Sequence, residues 1–248
     1  MSPNRLRGAA SLLFWAALWQ FAAWQVASPL FLPGPLAVAK RLGQLAVTVP
    51  FWQTAALSLC RVLLGMLWGT VLGAFLACLA CASRWLDALL SPAVQVIRAT
   101  PVASFILLVF LWTNRDQVPV IIAALMVLPV VWGNVVRGIR ECDGKLLELA
   151  RAYRFSRMKT ARLILLPSVR PYFLSALTTS MGLAWKSGVA AEALVWPRLA
   201  IGTQIYNTKL YLETADLFAW TLVVILLSLT LEQLVCALIR RVERGSGA

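Results

Sequence analysis

Ten Asp and Glu, five cysteines and no histidine are all that this 248-residue chain offers to acid–base, metal or nucleophilic chemistry. Without histidine, the commonest general base and metal ligand are missing. Cys78 and Cys81 form a C-x-x-C pair, but in an apolar run with no strand–helix–strand pattern around it. Packing is the expected role there and at Cys60, Cys142 and Cys236, and no metal site is expected. Gly182 to Ser187 approaches the phosphate-cradling Gly-x4-Gly-Lys-Ser/Thr pattern but lacks its second glycine and lies in apolar sequence. What remains is charge in unusual surroundings. A cationic loop runs from Glu148 to Pro167, and Arg98, Asn134, Lys186 and Glu192 interrupt otherwise apolar stretches.

The elements that must position these groups are membrane helices. The chain is 60% hydrophobic and 13% charged, against roughly 25% charged in a soluble domain. Six apolar stretches approach the roughly 20 residues needed to cross a bilayer: about Ser11–Leu32, Thr54–Cys81, Leu89–Trp112, Val118–Val136, Tyr172–Val195 and Leu217–Ile239. The third contains Pro92 and Pro101, and the fifth is the least clear because Lys186 and Glu192 fall inside it. The first could be a cleaved signal peptide, but Trp15, Trp19 and Trp24 make it bulky, and an uncleaved anchor is preferred. With six spans both termini share a side. Fifteen cations then lie on the side of the termini and the long loop, against five on the other. The positive-inside rule puts both termini and that loop in the cytoplasm. The net charge of +13 is thereby explained without nucleic acid, since no basic helix carries interleaved aromatics.

Gly65, Gly69 and Gly73 repeat every four residues, with Ala77 next in the series. On a helix they share one face and predict a close helix–helix seam. In the loop, Leu146, Leu149, Ala150 and Tyr153 follow the i, i+3, i+4, i+7 pattern of one helical face. Ser156 is placed to N-cap a second short helix over about 157–165, and Pro167 is expected to stop it. The resulting helix–turn–helix has an apolar face that requires cover, from the lipid surface or from a protein partner.

The order of residues in this loop resembles the EAA motif of ATP-binding-cassette importer permeases: Glu-Ala-Ala, three residues, Gly, nine residues, Ile, one residue, Leu-Pro. Glu148, Ala150, Ile164, Leu166 and Pro167 match in register; Leu149 replaces an alanine and Arg154 the glycine. An arginine there predicts a turn of different backbone conformation. Leu32 to Pro35, Ser58 to Gly65, Ser83 to Trp85, Arg98 to Pro101 and Ala184 to Glu192 are similar to the branch importing sulfonates, taurine and nitrate. Relatives in that branch also carry vitamin precursors such as thiamine pyrimidines. The likeness covers most of residues 32–240.

The resemblance implies an all-α integral membrane fold, the type I importer (MetI-like) transmembrane domain with a cytoplasmic coupling helix, in a bacterial inner membrane. It divides the chain into an anchor helix and external loop (1–50), a permease core with coupling helices at about 141–167 (51–240), and a short basic cytoplasmic tail (241–248). It implies a homodimer, two ATPase subunits that alone bind ATP and Mg, and an extracytoplasmic binding protein. This chain would then be no enzyme. Leu146, Glu148, Leu149, Ala150, Tyr153, Arg154, Ile164, Leu166 and Pro167 would form the ATPase-coupling element. Arg98, Asn134, Thr178 and Lys186 are candidates for the translocation pathway, since ionisable groups in spans face a cavity or pair with one another. Pairing is the preferred reading, Lys186 with Glu192 and Arg98 with a helix C-terminus. Thr178, Thr179 and Ser180 either line the passage or bond to their own helix. A secondary transporter or channel would need mid-membrane carboxylates or an inverted repeat. Only Glu192 and Glu232 come near the first, and no repeat is evident.

Overall fold

The computed structural model describes residues 3–245, and among them every regular element is helical. The elements are α1 (Pro3–Val26), α2 (Pro35–Ala46), α3 (Val49–Ala82), α4 (Arg84–Ala99), α5 (Val102–Trp112), α6 (Val118–Arg140), α7 (Gly144–Ala152), α8 (Arg157–Thr160), a π-helical turn (Ala161–Leu165), α9 (Leu166–Val195), α10 (Ile201–Leu210) and α11 (Thr214–Gly245). The basic tail expected from residue 241 lies partly outside the described residues.

By length and composition α3, α6 and α11 can each cross a membrane, and α4 with α5 makes a fourth crossing only if the bent pair counts as one. The bend is 103°, so the third stretch is not the single span expected from its hydropathy. Its cause is Pro101, which disfavours the helical conformation at Thr100 and has no N–H to continue the ladder. Thr100 is accordingly extended, at ψ 130°. Helix α9, at 30 residues, is roughly 45 Å long despite its internal charges.

Helix α6 is the centre of the bundle, packed between α3 and α9. The glycine repeat of α3 explains how closely it lies to α3. A Cβ on Gly69 would stand 2.5 Å from the carbonyl oxygen of Ala124, and one on Gly73 2.7 Å from that of Leu128. A Cβ on Gly65 would strike the carbonyl of Val120. The expected seam is present, backbone against backbone. Val62, Val127, Val131, Ala176, Ala184 and Trp185 fill the core around it, and the Trp185 indole donates to the Val224 carbonyl of α11 at 3.0 Å. Outward faces of α3, α5 and α11 remain apolar and exposed, as in Leu64, Leu67, Phe75, Leu107, Leu229 and Leu238. That pattern suits contact with lipid rather than water.

Candidate functional site

The long loop forms a structured elbow at one pole of the bundle. Asp143 caps α7, its carboxylate accepting from the Lys145 N–H at 2.9 Å. The helix ends in a Schellman motif: Phe155 N–H donates to the Ala150 carbonyl (2.8 Å) and Arg154 N–H to that of Arg151 (3.0 Å). Arg154 occupies the left-handed position of that motif, with φ 48°. The turn therefore keeps the conformation that a glycine would adopt, contrary to the altered geometry expected from the replacement. The arginine carries the steric cost, about 1 kcal/mol.

Ser156 caps the second helix as expected, accepting from the Lys159 N–H at 3.3 Å. Pro167 does not stop it. The π-helical turn Ala161–Leu165 joins α8 to α9, and Leu166 N–H donates five residues back, to Ala161. The wider turn gives the ring of Pro167 room where an α-helical carbonyl would clash. Residues 157–195 thus form one continuous helical rod that leaves the elbow and crosses the bundle.

The elbow has two sides. Ala150 and Ile164 are buried, and Leu147, Ala150 and Leu165 line a hollow between α7 and the second helix. Ala150 therefore turns away from the face that its spacing suggested. Leu146, Leu149 and Tyr153 stand outward, 42%, 52% and 72% exposed, and form an apolar face that none of the described residues covers. Glu148 is also exposed, whereas Leu166 and Pro167 lie at the exposed start of α9. At the root of the elbow Glu141 accepts from the Tyr172 hydroxyl (2.5 Å) and from Arg137 Nε (2.7 Å). These two donors hold its carboxyl below the usual carboxylate range.

The pathway candidates separate into two kinds. Arg98 donates to the carbonyl of Pro129, inside α6 and not at a helix C-terminus, at 2.6 Å. Asn134 Nδ2 donates to the Val130 carbonyl (2.9 Å), and the Thr178 and Thr179 hydroxyls to Leu174 and Ser175 of their own helix (3.1 Å each). Ser180 is buried, its hydroxyl without a hydrogen-bond partner among the described residues. Lys186 alone of the four candidates has no hydrogen bond or ion pair among the described residues, and it is exposed. The pairing expected with Glu192 is not formed.

Glu192 serves another cation. It is fully buried and accepts from Ser58 Oγ (2.8 Å) and from Gly202 N–H (3.2 Å), with Arg61 3.5 Å away. Arg61 also binds Asp116 (2.9 Å) and the carbonyls of Arg198 (2.8 Å) and Leu199 (3.2 Å). This clamp ties α3, the turn before α6, and the α9–α10 corner at the pole opposite the elbow. The corner is a strained segment, with Trp196 and Leu199 at φ 51° and 47°. Sequence reasoning missed the clamp, although Ser58 and Arg61 lie three residues apart on one helical face and Arg61 and Glu192 are opposite charges in apolar runs.

A helical membrane bundle with an ordered, cationic, apolar-faced elbow on one pole is the architecture of an importer's transmembrane subunit, and the likeness to known proteins agrees. The chain belongs to the family described as binding-protein-dependent transport system inner membrane component, whose pattern matches residues 69–244. It is 30% identical over 205 residues to a Bacillus subtilis (strain 168) permease protein named for aliphatic sulfonates transport, covering 82% of this chain and 74% of that one. It is 25% identical to the taurine transport system permease protein of Escherichia coli (strain K12), over 92% and 85% of the two chains. A nitrate import permease protein of Synechococcus elongatus is 30% identical over 70% and 67%. In fold the chain is similar to solved structures of an amino acid ABC transporter (TM-score 0.67, 19% identity, 81% of this chain and 97% of that one) and of a bacterial ABC transporter involved in import of alginate (TM-score 0.65, 16% identity, 96% and 99%). The protein is a multi-pass membrane permease subunit of an ABC importer.

Proposed function

We propose that this permease carries a small anion, of the sulfonate, taurine or nitrate kind, inward across a bacterial inner membrane at the expense of ATP hydrolysed by a separate subunit. The cargo class follows the names of its relatives and suits the cationic Lys186. The working assembly is two copies of this chain, two ATPase subunits at the elbow pole, and a binding protein at the opposite pole. The elbow and both termini lie in the cytoplasm, in keeping with the cation excess on that side. The observation that carries the reading is the uncovered face of Leu146, Leu149 and Tyr153 on an elbow continuous with α9. In this scheme the three side chains fill a groove on the ATPase, and Glu148 sets the register by polar contact. Ala150, Ile164, Leu166 and Pro167 hold the elbow stiff, and Arg154 fixes its turn. Closure of the ATPase pair moves the elbow, and the 157–195 rod passes that motion into the bundle.

Leu149→Arg places a charge in the middle of the docking face. It should abolish uptake and co-purification of the ATPase while membrane insertion and α7 helicity persist. Uptake at the parental rate with the ATPase still bound would refute docking through this face.

A further inference from the structure

Helix α9 is packed on one side and bare on the other. Ala176, Ser180, Ala184, Ser187, Ala191 and Val195 are buried, whereas Ser175, Thr179, Leu183, Lys186, Ala190 and Leu194 are all exposed, at successive spacings of three or four residues. The bare strip runs along the centre of the bundle's principal rod. It is bounded by α11, bonded through Trp185 to Val224, and by α5, whose Ile106 packs with Ala191 and Val195. Its composition is unlike the outward side of α3, which exposes Leu64, Leu67, Trp68, Val71 and Phe75: half of its residues are polar, and one is a cation. Glu232 of α11 lies against Gly182, one turn along α9 from Lys186, but forms no ion pair with it. Glu192, the other carboxylate of the region, is engaged elsewhere: its Oε2 accepts from Ser58 and Gly202, and Arg61 lies 3.5 Å from its Oε1. Lys186 therefore presents an ammonium without a hydrogen bond or ion pair among the described residues on an open helix face, with the Glu232 carboxylate about one turn away.

We propose that Lys186 is the residue that makes the permeation path selective for negative charge, its ammonium giving a small oxyanion a transient partner on the bare strip of α9. The inference rests on the importer reading and deepens it. It distinguishes Lys186 from Arg98, Asn134 and Thr178, whose side chains are already bonded to helix carbonyls. A single ammonium holds an anion weakly, as suits a site that must release its cargo rather than store it.

The test requires neither the cargo nor the ATPase. Ala190→Cys, one turn from Lys186, is placed in the full chain after the five native cysteines are changed to alanine; Leu183→Cys, on the other side of Lys186, is the second reporter. Labelling rates in native membranes are compared for methanethiosulfonates bearing a sulfonate or a trimethylammonium group. The sulfonate reagent should react faster. At the ~6 Å that separates neighbouring turns, removing one charge by Lys186→Gln should lower the anion-to-cation rate ratio about tenfold. Lys186→Arg should preserve the ratio, and Lys186→Glu should depress it further. If neither reporter reacts with either reagent, the strip faces lipid and the proposal fails. If both react at a ratio indifferent to the charge at position 186, it also fails. Failure of the importer reading would appear elsewhere, as normal uptake by the Leu149→Arg variant.

Discussion

The close approach of α3 to α6 gives the bundle its sharpest test. Gly69→Ala adds a single methyl group whose carbon would stand 2.5 Å from the Ala124 carbonyl oxygen and 2.8 Å from Val127 Cβ. The first obstacle is backbone held in the α6 ladder, so no rotamer change relieves it. Val127→Ala cannot help either, because alanine keeps the offending Cβ. Forcing the helices apart costs about 2–3 kcal/mol, the upper part of the range for overpacked cores, because the obstacle is backbone. Alanine returns up to about 1 kcal/mol of helix propensity, so the net loss is about 1–2 kcal/mol. Gly43→Ala in α2 isolates the propensity term, since nothing lies within 4 Å of its Cβ position. That variant should be neutral or slightly stabilised. Thermal unfolding of the purified permease, followed by intrinsic tryptophan fluorescence, should therefore fall for Gly69→Ala by roughly 2–8 °C at this chain size and hold or rise for Gly43→Ala. Equal midpoints for Gly69→Ala and the parent would refute the backbone-to-backbone seam.

Arg154→Gly should relieve the left-handed strain at the elbow. Its gain, up to about 1 kcal/mol, is partly offset by glycine's greater freedom when unfolded. Slower amide hydrogen exchange across residues 150–156 is the expected sign, and faster exchange would count against the Schellman turn. Arg61→Ala strands the buried Glu192 carboxylate and should cost about 3–5 kcal/mol. Asp116→Ala should cost at most about 1 kcal/mol, because the Asp116 side chain is 59% exposed against 0% for Glu192. Melting of the two variants side by side checks that order.

The features legible in the sequence were those written in a period or a cap. The four-residue glycine spacing, the Ser156 cap and the helical face of Leu146, Leu149 and Tyr153 each depend on neighbours along one helix. What was misread depends on partners far along the chain or on ladder geometry. Proline has two outcomes here: Pro101 breaks its span by 103°, while Pro167 sits within a helix because a π-turn opens beneath it. Residue type alone does not distinguish them. Arg98 and Glu192 were assigned the wrong partners for the same reason, since the Pro129 carbonyl and Arg61 come within reach only once α4, α6, α3 and α9 are packed.

The π-turn matters to the proposed mechanism more than its five residues suggest. Had Pro167 ended the helix, the elbow would hang from the bundle by a flexible joint. A shift imposed by the ATPase would then dissipate in that joint. As built, the second helix of the elbow and α9 share one helical rod. The far end of that rod is held by the Arg61–Glu192 clamp, and Lys186 lies less than two turns before Glu192. In the proposed mechanism, displacement of the elbow would rotate or tilt the face that presents the cation. A rod fixed to α6 along its buried side has little freedom to bend, so tilting is the motion available to it. Power and selectivity would then reside on a single element, with the turn before Pro167 as the join between them.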